Sequence, residues 1–304
     1  MCRGHKYWYI VESRRVNGKP RPIVIESLGT TANLIARLLG EKSQSGFKPY
    51  SHGAVASLLV LAKKLDVVSI INKHTLSNRK YWPKQPVRND LTAGITLLLA
   101  AIGRICMPTS KRGWHDWAKT TSCDYLLRIS SAKLDSQHFW DLMDCIPVES
   151  IEKIELEILQ NVFRQYPING GTLLYDTTNF YTIINSTNTH RTIPKRGKNK
   201  QKRGDLRQVG LVLAVTEEHY IPLLHKSYQG NISDSKMFGG IIGSIKTRME
   251  LLNIDTSEHT IVFDRRCNSK NNLKQVNDLN LHYIGALTPS HHKNLLNIAE
   301  DNFI

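Results

Sequence analysis

The chain has 304 residues, 40% of them apolar and 8% aromatic, enough to build cores; that excludes wholesale disorder and suits about two domains at ~150 residues each. Lys and Arg number 41 against 26 Asp and Glu, a formal charge of +15, which favours a polyanionic partner with nucleic acid first, although ribosomal, heparin-binding and membrane-surface proteins share the trait. The five cysteines (Cys2, Cys106, Cys123, Cys145, Cys267) show no CxxC spacing, which speaks against a disulfide framework or zinc knuckle and for a reducing, cytoplasmic interior. The N-terminal residues lack the apolar stretch of a signal peptide. The longest apolar run, Leu91 to Ile105, is interrupted by Thr92, Gly94, Thr96, Gly103 and Arg104 and reads as a buried helix rather than a membrane span.

In chain order, residues 7–28 alternate on either side of Asn17-Gly18-Lys19-Pro20, a hairpin signal with Pro20 and Pro22 confining the second strand to an edge. Apolar residues at three- and four-residue steps predict one helix over 53–72 (Val55, Leu58, Leu59, Ala62, Leu65, Val68). Further helices are predicted at 91–105, at 136–143 under a Ser136 cap, and at 150–166. The chain thus divides into a hairpin region (1–50), a helical block (51–168) that suits either a DNA reader or a plain bundle, and a second half (169–304). Trp82, Trp114, Trp117 and Trp140 read as packing aromatics.

The turn cluster Pro167-Ile168-Asn169-Gly170-Gly171 marks the junction. Strands follow at 172–175 extending through 181, at 209–216 and at 220–228. Then come a helix from Lys236 to about Leu252 capped by Ser233 or Asp234, a strand at 260–263, a helix at 269–279 and a strand at 283–287. Three strands in meander, a helix, then strand–helix–strand is the order of an α/β ribonuclease-H-like sheet, a mixed five-stranded sheet with helices.

Two aspartates share one context. Asp176 ends the apolar run Leu173-Leu174-Tyr175, and Asp264 ends Ile261-Val262-Phe263. If their strands are neighbours, the two carboxylates converge, and their mutual repulsion calls for a cation. A hard divalent ion, Mg²⁺ or Mn²⁺, suits oxygen ligands of this kind and supports in-line phosphoryl displacement. The alternative is that both residues only cap or turn the chain. Residues 190–207 carry Arg191, Lys195, Arg196, Lys198, Lys200, Lys202, Arg203 and Arg207 against the single Asp205. With Pro194, Gly197 and Gly204 this stretch reads as a mobile, DNA-gripping arm rather than a helix; a solvated charge run is the bland alternative.

These residues also carry a resemblance. Tyr175-Asp176-Thr177-Thr178-Asn179-Phe180-Tyr181 resembles the first-aspartate motif of DDE-type insertion-sequence transposases of the IS-four-like group. Arg207-Gln208-Val209-Gly210-Leu211 resembles that group's second strand, and Gly230-Asn231-Ile232-Ser233-Asp234 the turn before its first core helix. Ile261-Val262-Phe263-Asp264-Arg265 with Asn268-Ser269-Lys270-Asn271-Asn272-Leu273 resembles its second-aspartate motif. The likeness runs in order across residues 172–290, and more weakly over the N-terminal half. It implies a ribonuclease-H-like fold, double-stranded DNA at element ends and target as partner, a homodimer in the DNA complex, and a nucleoid-associated place in the cytoplasm. It also implies Mg²⁺- or Mn²⁺-dependent strand cleavage and transfer, with Asp176 and Asp264 as catalytic metal ligands.

Two departures bear on the site. Arg266 stands where the group usually has glycine, with strain in the turn or crowding of the metal as the consequence. The group's third carboxylate, a Glu in a Tyr-x-x-Arg-x-x-x-Glu pattern, has no counterpart among the residues after Asp264. Glu300 is a candidate only by spacing, and Pro289-Ser290-His291-His292-Lys293 reads as the approach to an insertion that precedes the true position. The resemblance therefore implies a transposase cut short and impaired. A non-catalytic DNA-binding remnant or inhibitor, and a host nuclease of the same fold, stand as alternatives. His291-His292 reads as a solvated loop.

Overall fold

Alternating residues on either side of Gly18 build β1 (Tyr7–Val16) and β2 (Lys19–Thr30), an antiparallel ribbon with Val16 opposite Lys19 and Gly18 at φ 76° in the turn. Pro20 and Pro22 sit on a strand with one neighbour only, where a missing N–H breaks no second ladder. The computed structural model describes residues 6–16, 18–39, 49–75, 87–185, 187–197, 203–254 and 259–286, together with 294 and 298. Asn17, Trp82, His291, His292 and Glu300, on which expectations above fall, lie outside the described residues.

After α1 (Thr31–Leu38), the helix expected over 53–72 is two: α2 (Gly53–Lys64) and α3 (Val67–Lys73). Asp66 between them is left-handed at φ 55°, which ends one helix and redirects the next so that Ile70 and Ile71 are buried. A two-residue turn with Asn89 and Asp90 at positive φ joins β3 (Val87–Arg88) to β4 (Leu91–Thr92). Helix α4 (Ala93–Cys106) is capped by the Thr92 hydroxyl, and Asn72 of α3 accepts from the Gly94 N–H at 2.8 Å.

Short helices α5 (Trp114–Ala118) and α6 (Cys123–Leu127) precede α7 (Ser136–Met143). The cap of α7 is Asp135, not Ser136: its carboxylate accepts from the His138 N–H at 2.8 Å. Leu99, Ile102, Trp114, Trp117 and Phe139 fill the core of this block, with the Trp114 indole donating to the Leu99 carbonyl at 2.9 Å. Trp140, expected to pack inside, is 52% exposed and carries the Lys111 ammonium 4.1 Å from its ring centre; one helical step separates it from Phe139, and only the latter faces inward. Helix α8 (Val148–Gln165) joins the two halves. Its Leu156, Leu159 and Phe163 pack into the second core, while Asn161 and Gln165 donate to the Leu65 and Lys64 carbonyls of the first.

The second half holds β5 (Thr172–Thr182), β6 (Arg207–Thr216), β7 (Pro222–Gln229), α9 (Asp234–Leu251), β8 (Thr260–Phe263), α10 (Lys270–Asp278) and β9 (His282–Gly285). His219 and Tyr220, both at positive φ, make the turn that returns β7 along β6, so β7 begins two residues later than expected. The strands lie in the order β7-β6-β5-β8-β9. β5, β6 and β7 run antiparallel, and β8 and β9 run parallel to β5. That order and those directions make this a ribonuclease-H-like sheet.

Leu173, Tyr175, Ile261 and Phe263 project from β5 and β8 into one core with Phe238, Ile241, Ile242 and Ile245 of α9. The fully buried Phe238 ring lies 4.9 Å from that of Tyr175 and 4.6 Å from that of Phe263, burial of the kind that stabilises by about 1.5–3 kcal/mol. It holds together the strand that carries Asp176 and the strand that leads into Asp264.

Inside the helical block, His138 is fully buried between Thr96 and Asn89. Asn89 donates to the Lys133 carbonyl at 2.9 Å and faces Nδ1 at 3.2 Å, so Nδ1 accepts and Nε2 donates to the Thr96 hydroxyl at 2.9 Å. Only a neutral imidazole satisfies both neighbours. Burial, with the Arg88 charge behind it, pushes the group from 6.5 to about 4. Between those values the unfolded chain binds a proton that the folded one refuses, so this contribution is whole above pH 6.5 and erodes as pH falls to about 4. Urea midpoints should fall across that window, and His138→Gln should flatten the decline.

Candidate active site

The parallel pairing of β5 with β8 sets Tyr175 opposite Phe263. The next residue in each case is an aspartate, Asp176 within β5 and Asp264 just past the end of β8, so the two follow a pair of strands that lie about 4.8 Å apart. Their side chains line one cavity of about 20 Å³, together with Tyr175, Thr177, Asp234, Arg266 and Cys267. That is room for roughly one water-sized particle. Asp176 accepts from the Thr177 N–H at 2.7 Å. Asp264 stands at the N-cap of the 3-10 turn Arg265–Cys267 but makes no side-chain cap bond, so capping does not occupy its carboxylate.

A third acid lines the cavity, Asp234, which the sequence offered only as an alternative cap for the helix after Ser233. Asp234 is the first residue of α9, and the cap is made by its neighbour: the Ser233 hydroxyl accepts from the Lys236 N–H at 3.4 Å. The carboxylate of Asp234 is thereby freed from capping and lies at the cavity, beside the Tyr228 phenol. Asn272 of α10 holds this corner together, its amide donating to Ser235 at the start of α9 and to the Cys267 carbonyl at 2.9 and 2.7 Å. The signal was present in Gly230-Asn231-Ile232-Ser233-Asp234, an acid one step beyond a serine cap, but its direction depends on the crossover of α9.

Arg266 lies in the same cavity, one guanidinium nitrogen 3.6 Å from Asp234 Oδ2. The expected strain is not there: Arg266 is not among the residues at positive φ, so the turn does not require the freedom of glycine. Its bulk does enter the cavity. On the other side, Gly210 lies under the Tyr228 ring, where a β-carbon would stand 2.2 Å from it. Burial first, then the Asp234 charge, raises the Tyr228 phenol above its ordinary value. Burial likewise raises Tyr175.

The basic stretch is only partly described. Arg191, Lys195, Arg196 and Arg207 line a second cavity of about 470 Å³ with Asn188, Thr189 and Pro194. Lys195 bridges to Gln208 of β6 through two backbone bonds of 2.9 and 3.1 Å. Gly197 passes so close to Gly230 that a β-carbon would meet its carbonyl at 2.2 Å. Arg203 instead grips Asp205 with two bonds of 2.7 and 2.8 Å, holding that carboxyl down to about 2. Lys198, Lys200 and Lys202 lie outside the described residues. Arg207 pairs with Thr182, six positions past Asp176 on β5, which sets the basic and acidic cavities roughly 20 Å apart along the strand.

Among the described residues, no group of three or more His, Cys, Asp or Glu side chains is disposed to hold a metal ion by itself. A Mg²⁺-class ion asks for less: one or two carboxylates, with water and substrate phosphate completing its shell. The adjacent Asp176 and Asp264 fit that demand. Among the described residues no helix is long and apolar enough to cross a membrane.

No protein-family model matches the chain, and no curated protein is similar to it. Among solved structures it is similar to the piggyBac transposase synaptic complex with hairpin DNA, at 13% identity and a TM-score of 0.42, over 81% of this chain and 54% of that one. It is also similar to the Mos1 transposase paired-end complex with the left transposon end (7%, 0.27, 65% and 59%) and to the Mos1 mariner paired-end complex with Mn (8%, 0.27, 83% and 71%). The chain thus spans little more than half the length of the first two.

Burial first, then the charges of Asp234, Asp264 and Asp176, pushes the Cys267 thiol up to about 12. At pH 8 Cys267 should stay unlabelled by iodoacetamide while the half-buried Cys106 reacts, as read by peptide mass spectrometry.

Proposed function

We propose that this chain is a DDE-type transposase that binds the ends of a DNA element, cleaves a phosphodiester there and joins the freed 3′-hydroxyl to target DNA. The observation that carries this reading is the register of β5 and β8, which sets Asp176 and Asp264 side by side at one cavity. The ordered motif resemblance across residues 172–290 and the basic cavity support it. Asp176 and Asp264 would hold Mg²⁺ or Mn²⁺, which supplies an activated oxygen nucleophile and charge stabilisation for in-line displacement. The residues themselves orient: β5 and the end of β8 fix the carboxylates, and Phe238 beneath them keeps the strands from shearing.

The arm residues Arg191, Lys195, Arg196 and Arg207 would grip the DNA backbone and set its register without reading its bases. A span of roughly 20 Å corresponds to about six base pairs at ~3.4 Å each, so a duplex held at the arm reaches the acidic cavity. A homodimer would bring two ends together. The second reading, a DNA-binding protein without catalysis, is favoured by one observation: the Arg266 guanidinium already supplies a positive charge to the acidic cavity.

Mn²⁺-dependent nicking of end DNA decides between them. Asp176→Asn should cost more than the ~100-fold that loss of an outer-shell partner costs at metal sites. Nanomolar DNA binding with no metal-dependent nicking selects the second reading. Replacing Arg191, Lys195, Arg196 and Arg207 together by Ala should lower the slope of log K against log salt by up to about 4, one for each lost phosphate contact, with no change in end-sequence preference.

A further inference from the structure

Four observations meet at the acidic cavity. Asp234 lines it with Asp176 and Asp264, and its capping duty is discharged by Ser233. Tyr175, only 3% exposed, lines the same cavity, and its hydroxyl is buried with no hydrogen-bond partner among the described residues. A buried hydroxyl left unpaired is costly, so this one favours a polar or ionic ligand in the cavity. Arg266 reaches in from the 3-10 turn with its guanidinium 3.6 Å from Asp234, its own side chain 55% exposed and that of Asp234 20% exposed.

We propose that Asp234 is a third carboxylate of the cation site and that Arg266 holds it in reserve, so that the full acidic set forms only when the guanidinium lets go. The inference rests on the cation-site reading of Asp176 and Asp264. A half-exposed ion pair is weak enough to be exchanged for a stronger partner. The arrangement also explains why the three acids do not make a ready-formed metal cluster although all three face one small space. Arg266 neutralises repulsion among them while the site is empty of other cations, a task a glycine at this position would leave undone. Asp234 is tied by sequence to Gly230, whose N–H donates to the Ile193 carbonyl at 3.4 Å and whose carbonyl accepts from Gln208, so the acid at the start of α9 is joined through Gly230 to the base of the DNA-gripping arm.

The test titrates the full chain with Mn²⁺ alone and reads free Mn²⁺ by electron paramagnetic resonance, with no DNA and no turnover. Arg266→Ala should tighten Mn²⁺ by up to about fivefold, the worth of an exposed pair, while Arg266→Lys stays near the parent. Asp234→Asn should weaken binding by at least the ~10-fold that loss of even an outer-shell partner costs, and should abolish the gain from Arg266→Ala in the double variant. Thermal unfolding without Mn²⁺ checks each fold, and Asp234→Ser replaces Asn should that variant unfold. Unchanged affinity in Asp234→Asn, with loss in Asp176→Asn and Asp264→Asn, overturns this inference and leaves the cation-site reading standing. A gain from Arg266→Ala that persists without Asp234 overturns it too, since the arginine then acts only through its field. Affinity indifferent to Asp176 and Asp264, or no Mn²⁺ binding at all, overturns both.

Discussion

The parallel hydrogen-bonded pairing of β5 with β8 is the constraint on which the rest depends. Its register, Tyr175 against Phe263, brings two aspartates from distant parts of the chain to one cavity. A slip of one residue would turn one of them to the other face of the sheet. Leu173, Tyr175, Ile261 and Phe263 pin that register because all four are buried against α9, and the Phe238 ring touches a residue of each strand just before its acid. Apolar packing thus sets the position of polar chemistry.

Charge is balanced in two different ways at two places along β5, about its middle at Asp176 and at its Thr182 end. At the first three carboxylates share a cavity with one arginine. At the other, four basic side chains line a larger cavity. Neither arrangement is self-sufficient: each leaves a local excess of one sign, negative at the first cavity and positive at the second. The loop through Gly230, four residues before Asp234, is tied by a backbone bond to Ile193, next to Pro194 of the basic cavity.

The site was legible in part. Asp176 and Asp264 stood out because each ends a short apolar run, a local pattern that survives into the structure as a half-buried stretch followed by an exposed acid, inside β5 for Asp176 and one residue past β8 for Asp264. Asp234 did not stand out, since an acid in the first turn of a helix is ordinarily explained by the helix dipole, and only the crossover of α9 brings it to the strands. The partition of the basic stretch was equally hidden: Arg203 spends its charge on Asp205, two residues away, whereas Arg207 lies on a strand. The single helix expected over 53–72 failed at Asp66, because periodicity runs on through a left-handed residue that only tertiary burial of Ile70 and Ile71 makes worthwhile.

What the sequence determined by itself was the order and kind of elements in the second half. Period-two runs and turn residues specify strands, and a serine followed by three-and-four spacing specifies helices, through interactions that are local in the chain. Strand order, direction and register were decided by the tertiary structure. They depend on which apolar faces cover one another across long separations, and so does every relation between the acids, the arginine and the arm.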